Sequence, residues 1–182
     1  MRWRNALGRE VVDTSTAETI GHVDAMVIDA SASSIVGVVV GNQVVSWSDT
    51  GGIGSDAVTV VDAGLIRGPK SDLELRAVEG ATDPISKRVI TEDGFALGSI
   101  ADIEFDPESG TISRLFLGDD HIAGSRLMGT GSFAVVVCST DRATADGDLA
   151  SLTKSELYEM AKARDIDGRS TMTKDELIAA LG

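Results

Sequence analysis

This chain contains one pattern twice. Gly21 and Gly98 stand 77 residues apart, and the same offset places Asp29 on Asp106, Ile35 on Ile112 and Gly41 on Gly118. It continues without a gap through Ser48 and Ser125, Gly52 and Gly129, and Gly54 and Gly131, and it lays "SDAVTV" over "SFAVVV". Self-similarity at a fixed period limits what a chain can fold into, because each copy must form the same supersecondary unit. The duplicated unit covers about 10–62 and 87–139.

Each unit reads as β-structure. In the second, "SIADIEF" alternates apolar and polar residues, "DPESG" supplies turn residues, and "TISRLFLG" resumes the apolar run. Alternation with period two, broken by Pro, Ser, Asp and Gly, marks a hairpin. The first unit has "DASAS" at the matching turn. A short strand precedes each hairpin ("REVVD", "KRVIT"), and two more follow ("QVVSW" and "DAVTV"; "HIAGS" and "FAVVV"). Five short strands in about 50 residues suit a small closed barrel, which removes exposed sheet edges. A hydrophobic fraction of 42% is enough for cores built mainly from aliphatic side chains.

The unit resembles the PRC-barrel domain, known from the photosynthetic reaction centre H subunit and the C-terminal half of the ribosome maturation factor RimM. The resemblance rests on Gly21-His22-Val23 and Gly98-Ser99-Ile100, on Asp29 and Asp106 before the hairpin turns, and on "VVSWSD…GSDAVTV". The second unit has no Trp at the place of Trp47. The resemblance implies an interaction module that docks protein partners and does no catalysis itself. Gly21, Gly98, Asp29, Asp106 and Trp47 are the structural or interaction candidates it supplies. Trp47 is expected to anchor the barrel end by burying its ring; an exposed Trp there would be a binding hot spot.

The segments outside the repeats differ in character. "DAGLIRGPKSDLELRAVEGATDPISK" is broken by Gly and Pro and reads as a connector with a helical turn near Leu73–Val78. "STDRATADGDLAS" is small, polar and aperiodic, as in a flexible linker. In "LTKSELYEMAKARDIDGRSTMTKDELIAALG", Thr153 with Glu156 and Thr173 with Glu176 are capping-box pairs. They start two short helices, one about 154–164 and one carrying Leu177, Ile178 and Leu181, with Ile166 and Met172 at the corner. This tail resembles the helical subdomain at the N-terminus of transcription termination factor Rho, a relative of SAP-type helix–extended–helix modules. The carriers are the "L-x-x-L-A-K"-like spacing with Met160 for Leu, "GRS-x-M" and "K-x-E-L". That resemblance implies RNA or DNA contact through Lys154, Lys162, Arg164, Arg169 and Lys174. Docking to a protein is the other reading, since six acidic residues in the tail outweigh these five cations.

The expected architecture is therefore mainly β: two small PRC-type β-barrels in tandem plus a C-terminal two-helix (helix–extended–helix) subdomain. The divisions are 1–66 for barrel 1, 67–86 for the connector, 87–139 for barrel 2, 140–150 for the linker and 151–182 for the helical tail.

Other signals exclude more than they suggest. With Asp+Glu 29 against Lys+Arg 16, the net charge of −13 disfavours broad charge-driven binding to nucleic acid or anionic lipid. The lone Cys138 cannot form a disulfide within the chain, and with two His it cannot complete a structural zinc site. "DIDG" fails as a calcium loop, because Ala163 and Lys174 fall where an acidic first ligand and a bidentate Glu are needed. His22 and His121 occupy non-equivalent positions without an oriented partner in sequence. The glycine runs "GGIGSD" and "GTGSFA" lack the Lys-Ser/Thr ending of a phosphate loop. No catalytic residue, cofactor or metal is expected. The N-terminus has no apolar leader and no window reaches a membrane span, so a cytoplasmic protein without stable membrane insertion is expected. The functional expectation is a non-enzymatic adaptor with a tethered tail. Nucleic-acid binding through the tail, and self-assembly of the barrels into a homo-oligomeric scaffold, are the alternatives.

Overall fold

In the computed structural model of the chain, residues 1–118, 120–139, 161, 166, 168–169 and 172–181 are described. The chain divides into two compact units, 1–139 and 140–182. The first unit is mainly β. The first repeat contributes β1 (Glu10–Asp13), β2 (Thr19–His22), β3 (Ala25–Asp29), β4 (Ser34–Val40), β5 (Gln43–Ser46), β6 (Thr50–Ile53) and β7 (Ala57–Val60). The second contributes β8 (Arg88–Thr91), β9 (Ala96–Ser99), β10 (Asp102–Phe105), β11 (Ile112–Leu117), β12 (Asp120–Ala123), β13 (Leu127–Thr130) and β14 (Ala134–Val137).

The repeats share one topology. A four-stranded sheet has the order β2-β1-β7-β6 in the first repeat and β9-β8-β14-β13 in the second. Its first and last long-range partners, β1 with β7 and β8 with β14, run parallel. A parallel pair needs a long crossover, and here the antiparallel meander β3-β4-β5 or β10-β11-β12 supplies it. The burial pattern along β1 and β8 is the same, with Val11 and Asp13 inward in one and Val89 and Thr91 inward in the other. Alternate Val, Ile and Thr side chains fit this pleated, half-covered surface.

The sequence signals give five strands per repeat, and the structure has seven. β2 is separated from β3 at Val23, whose N–H donates to the Arg9 carbonyl. The segment Gly21–Asp29 therefore serves two sheets. β6 contains Gly51-Gly52, which carries no strand propensity, yet it pairs with β7 from Thr50 to Ile53.

The repeats join through their hairpin turns. The Ile35 N–H donates to the Gly110 carbonyl at 2.9 Å, and the Ile112 N–H donates to the Ser33 carbonyl at 2.8 Å. Each bond is the 77-residue image of the other, and the bridge between Ser34 and Thr111 lies between them. The junction thus has a local pseudo-twofold relation. Ile35 and Ile112 are both buried, in one continuous core with Val38, Ile103, Phe105 and Leu115. Ser33 and Gly110 both have positive φ. At Gly110, a Cβ would meet the Ile35 carbonyl oxygen at 2.5 Å.

Each repeat is also gripped by the segment that precedes the other. Helix α1 (Trp3–Ala6) packs on β10 of the second repeat, with Trp3 buried. Helix α2 (Asp72–Val78) packs on β3 of the first, burying Ala77 against Val27, Val39 and Val44. The helical turn expected near Leu73–Val78 is α2. Ser71 caps it by accepting the Glu74 N–H at 3.2 Å. Ser71-x-x-Glu74 is itself a capping-box signal. Glu74 then takes a bidentate contact from Arg67, with both distances 2.9 Å, and accepts the Lys70 N–H at 2.6 Å. Arg67 in turn exchanges backbone hydrogen bonds with Val44, so this ion pair fastens the connector to β5.

In the second unit, α3 (Lys174–Leu181) follows the expected capping box. The Glu176 N–H donates to Thr173 Oγ1 at 3.3 Å, and Glu176 Oε2 accepts the Thr173 N–H at 2.7 Å. Leu177 and Leu181 are buried. The side chain of Ile178, the first tail helix apart from the buried Ala161, and the 140–150 linker lie outside the described residues.

Two stability predictions follow from the joints. Gly110→Ala combines a left-handed backbone with a clash against a carbonyl, so it should lower unfolding free energy by at least about 2 kcal/mol. Gly129→Ala has open space around it and should cost less than about 1 kcal/mol. Urea unfolding of both variants checks the contrast. Arg67 hydrogen bonding, foremost, holds the Glu74 carboxyl down at about 2. Its folded value lies below the unfolded one, so its stabilisation is complete above about pH 4.5 and is lost as pH falls toward 2. Glu74→Gln should cost about 2 kcal/mol at pH 7 and flatten the pH dependence of stability over that window.

Candidate functional site

The two hairpin aspartates have a clear local task. Asp29 Oδ1 accepts the Ser31 N–H at 2.9 Å and the Ser31 hydroxyl at 2.6 Å. Asp106 Oδ1 accepts the Glu108 and Ser109 N–H groups, both at 2.8 Å. These are Asx turns, in which a carboxylate satisfies the N–H groups of a tight bend. The Ser31 hydroxyl holds Asp29 below the usual carboxylate range, and the Ser109 and Glu108 N–H groups do the same for Asp106. Both side chains shape the turns that meet at the pseudo-twofold junction. Gly21 and Gly98 sit at equivalent places in β2 and β9, opposite Val11 and Val89. At Gly21 a Cβ would come 2.7 Å from Val40 Cγ1. The glycine therefore permits close packing of β2 on β4.

Trp47 breaks the symmetry. It begins the 3-10 turn after β5, and its counterpart in the second repeat is Gly124. At Gly124 a Cβ would lie 1.9 Å from the Ile112 carbonyl oxygen, so that position accepts no side chain without backbone movement. On the first repeat the indole of Trp47 occupies the corresponding position. The Trp47 ring meets Phe105 edge-on, with centroids 5.9 Å apart and planes at 80°. Its Nε1–H donates to the Glu108 carbonyl at 3.2 Å. Trp47 is thus half-buried and spans both repeats, between the expected buried anchor and an exposed hot spot.

One face of the ring borders a groove of about 640 Å³ lined also by Thr50, Gly51, Gly52, Ile53, Pro107 and Glu108. One wall comes from β6 of the first repeat and the other from the Asp106 turn of the second. β6 ends its sheet and is hydrogen-bonded to β7 alone within it. The groove thus combines a strand edge, an indole surface, a proline and a carboxylate. Such a combination suits the capture of an extended peptide, with main-chain pairing for affinity and side-chain pockets for selectivity. Only Trp47 of this set was visible as a candidate in the sequence. Pro107 and Glu108 were hidden because their role depends on the repeats docking turn to turn.

The tail cations are only partly placed. Arg169 Nη1 donates to the Ile166 carbonyl at 2.8 Å, closing the corner before α3. Lys174 opens α3. Lys154, Lys162 and Arg164 lie outside the described residues. His121 stacks at a tilt on Phe116, centroids 5.7 Å apart, and His22 lies at the end of β2. Cys138 is buried just past β14. Among the described residues, no three His, Cys, Asp or Glu side chains are grouped to hold a metal ion. No helix among them is long and apolar enough to cross a membrane.

Comparison with known families agrees with both resemblances. The PRC-barrel domain matches residues 77–135, from the end of α2 through the start of β14. The Rho termination factor, N-terminal domain, matches residues 148–181. No curated protein matches the chain. The first repeat lies outside the PRC-barrel match but has the same strand order as the second. The chain carries a PRC-barrel domain followed by a Rho termination factor N-terminal domain.

Proposed function

We propose that this chain is a non-enzymatic cytoplasmic adaptor. Its repeats dock an extended segment of a partner protein in the Trp47 groove, and its C-terminal unit contacts a second partner. The observation that carries this reading is the partly buried Trp47 between β6, the end strand of its sheet, and the Pro107-Glu108 turn. A large aromatic surface beside an end strand provides both anchor and register for a strand-like ligand. Joining two binding units in one chain makes the second contact intramolecular, so weak individual contacts still hold a complex together.

The match to the Rho termination factor N-terminal domain supports a second reading, in which the partner of the C-terminal unit is RNA or DNA. Arg169 and Lys174 would then contribute to phosphate contact along with Lys154, Lys162 and Arg164.

Affinity capture with the full chain, with Trp47→Ala and with a chain lacking 140–182 tests the adaptor reading. Trp47→Ala should weaken capture of the repeat-bound partners about tenfold or more. The shortened chain should keep those partners and lose the others. Identical captured sets from all three would contradict this reading. For the second reading, a gel shift with single-stranded RNA and duplex DNA should strengthen as salt is lowered. No shift at low salt would eliminate it. Fluorescence checks the groove itself: Trp47→Phe leaves only buried Trp3, so the acrylamide-quenchable part of the emission should vanish.

A further inference from the structure

The outer faces of the two four-stranded sheets share a backbone plan but not a surface. In the second repeat, Arg88 and Ile90 point outward from β8, beside Val136 of β14, which pairs with Ile90. Phe133 is 72% exposed, and the Arg88 guanidinium lies 5.4 Å from its ring centre. Arg76 from α2 borders the same shallow apolar depression of about 380 Å³. Two arginines, Arg88 and Arg76, thus flank an exposed aromatic ring on a chain of net charge −13.

The first repeat is an internal control. Glu10 takes the place of Arg88, since each faces the same alanine position on the parallel partner strand. Asp56 takes the place of Phe133, and Thr59 that of Val136. Both sheets form with the same strand order, so the apolar and basic character of the second face is not needed for folding. An exposed phenyl ring flanked by arginines costs solubility without a structural return. Four residues, Arg88, Phe133, Glu10 and Asp56, thus give the two faces opposite character at equivalent positions.

We propose that the outer sheet face of the second repeat binds the outer sheet face of the first repeat in another copy of this chain. Arg88 and Arg76 face Glu10 and Asp56, and Phe133 settles on the threonine side chains of β7 and β2. Two sheets of the same plan have matching twist and strand spacing, which allows aligned face-to-face packing. Each copy offers one face of each kind. The contact is heterologous, so copies add head to tail. It does not use the Trp47 groove and stands or falls separately from the adaptor reading.

Sedimentation velocity of the full chain from about 10 μM to about 1 mM tests this, a range that brackets weak self-association. The parent chain should sediment faster as concentration rises. Phe133→Asp, which spoils one face, and Glu10→Arg, which spoils the other, should each weaken association about tenfold or more. Both positions are exposed, and circular dichroism verifies that each variant is folded; Glu10→Gln replaces Glu10→Arg if the latter unfolds. Mixed, the two variants should form a one-to-one complex, because each keeps one sound face. Trp47→Ala should associate like the parent. A parent chain that stays monomeric throughout, association that survives either face substitution, a mixture with no complex, or dependence on Trp47 would each overturn the proposal.

Discussion

The structure of residues 1–139 depends on two backbone hydrogen bonds at the hairpin turns, Ile35 to Gly110 and Ile112 to Ser33. They join the hairpins where Ile35 and Ile112 enter one core, and they set how the two repeats meet. The Asx turns of Asp29 and Asp106 give each hairpin the tight bend that presents its carbonyl to the other repeat. Gly110 lets the chains approach. Helices α1 and α2 then cross over, each preceding one repeat and packing on the other. Burial of the shared core favours association of the repeats, while the paired turns select one geometry for it.

The same junction creates the functional asymmetry. Turn-to-turn docking brings Glu108 and Pro107 beside Trp47. At the mirrored position the Ile112 carbonyl presses on Gly124, so no second indole can form a second groove. The duplicated scaffold thus carries an indole at this position in one copy and not in the other. On their outer faces the copies have diverged further, one toward Glu10 and Asp56 and the other toward Arg88 and Phe133. Duplication supplies a fixed frame, and substitution at positions the fold does not constrain supplies distinct surfaces.

Much of the fold was legible in the sequence, because a repeat of 77 residues, period-two alternation and turn residues are local signals. The repeat, the hairpins, the α2 turn and the Thr173–Glu176 cap of α3 all belong to this class. β6 was not legible, since Gly51-Gly52 has no strand propensity and pairs only because β7 is already in place. The crossing of α1 onto β10 was hidden too, being a contact between distant segments without a local signature. At the site, Trp47 was visible as a rare aromatic, but its half-burial was not: that depends on Phe105 and Glu108, more than 50 residues away in sequence. Asp29 and Asp106 recur because the turns need their carboxylates, and the structure gives them that structural role.

The central claim is that the two repeats form one cooperative body, because the groove beside Trp47 exists only while both walls are docked. Native-state amide hydrogen exchange tests it most directly, by comparing the slowest amides of β1 and β7 with those of β8 and β14. The account predicts that both sets open with the same free energy and the same denaturant dependence, as a single unfolding unit. Opening of one repeat at a markedly lower free energy, with the other still protected, would contradict it.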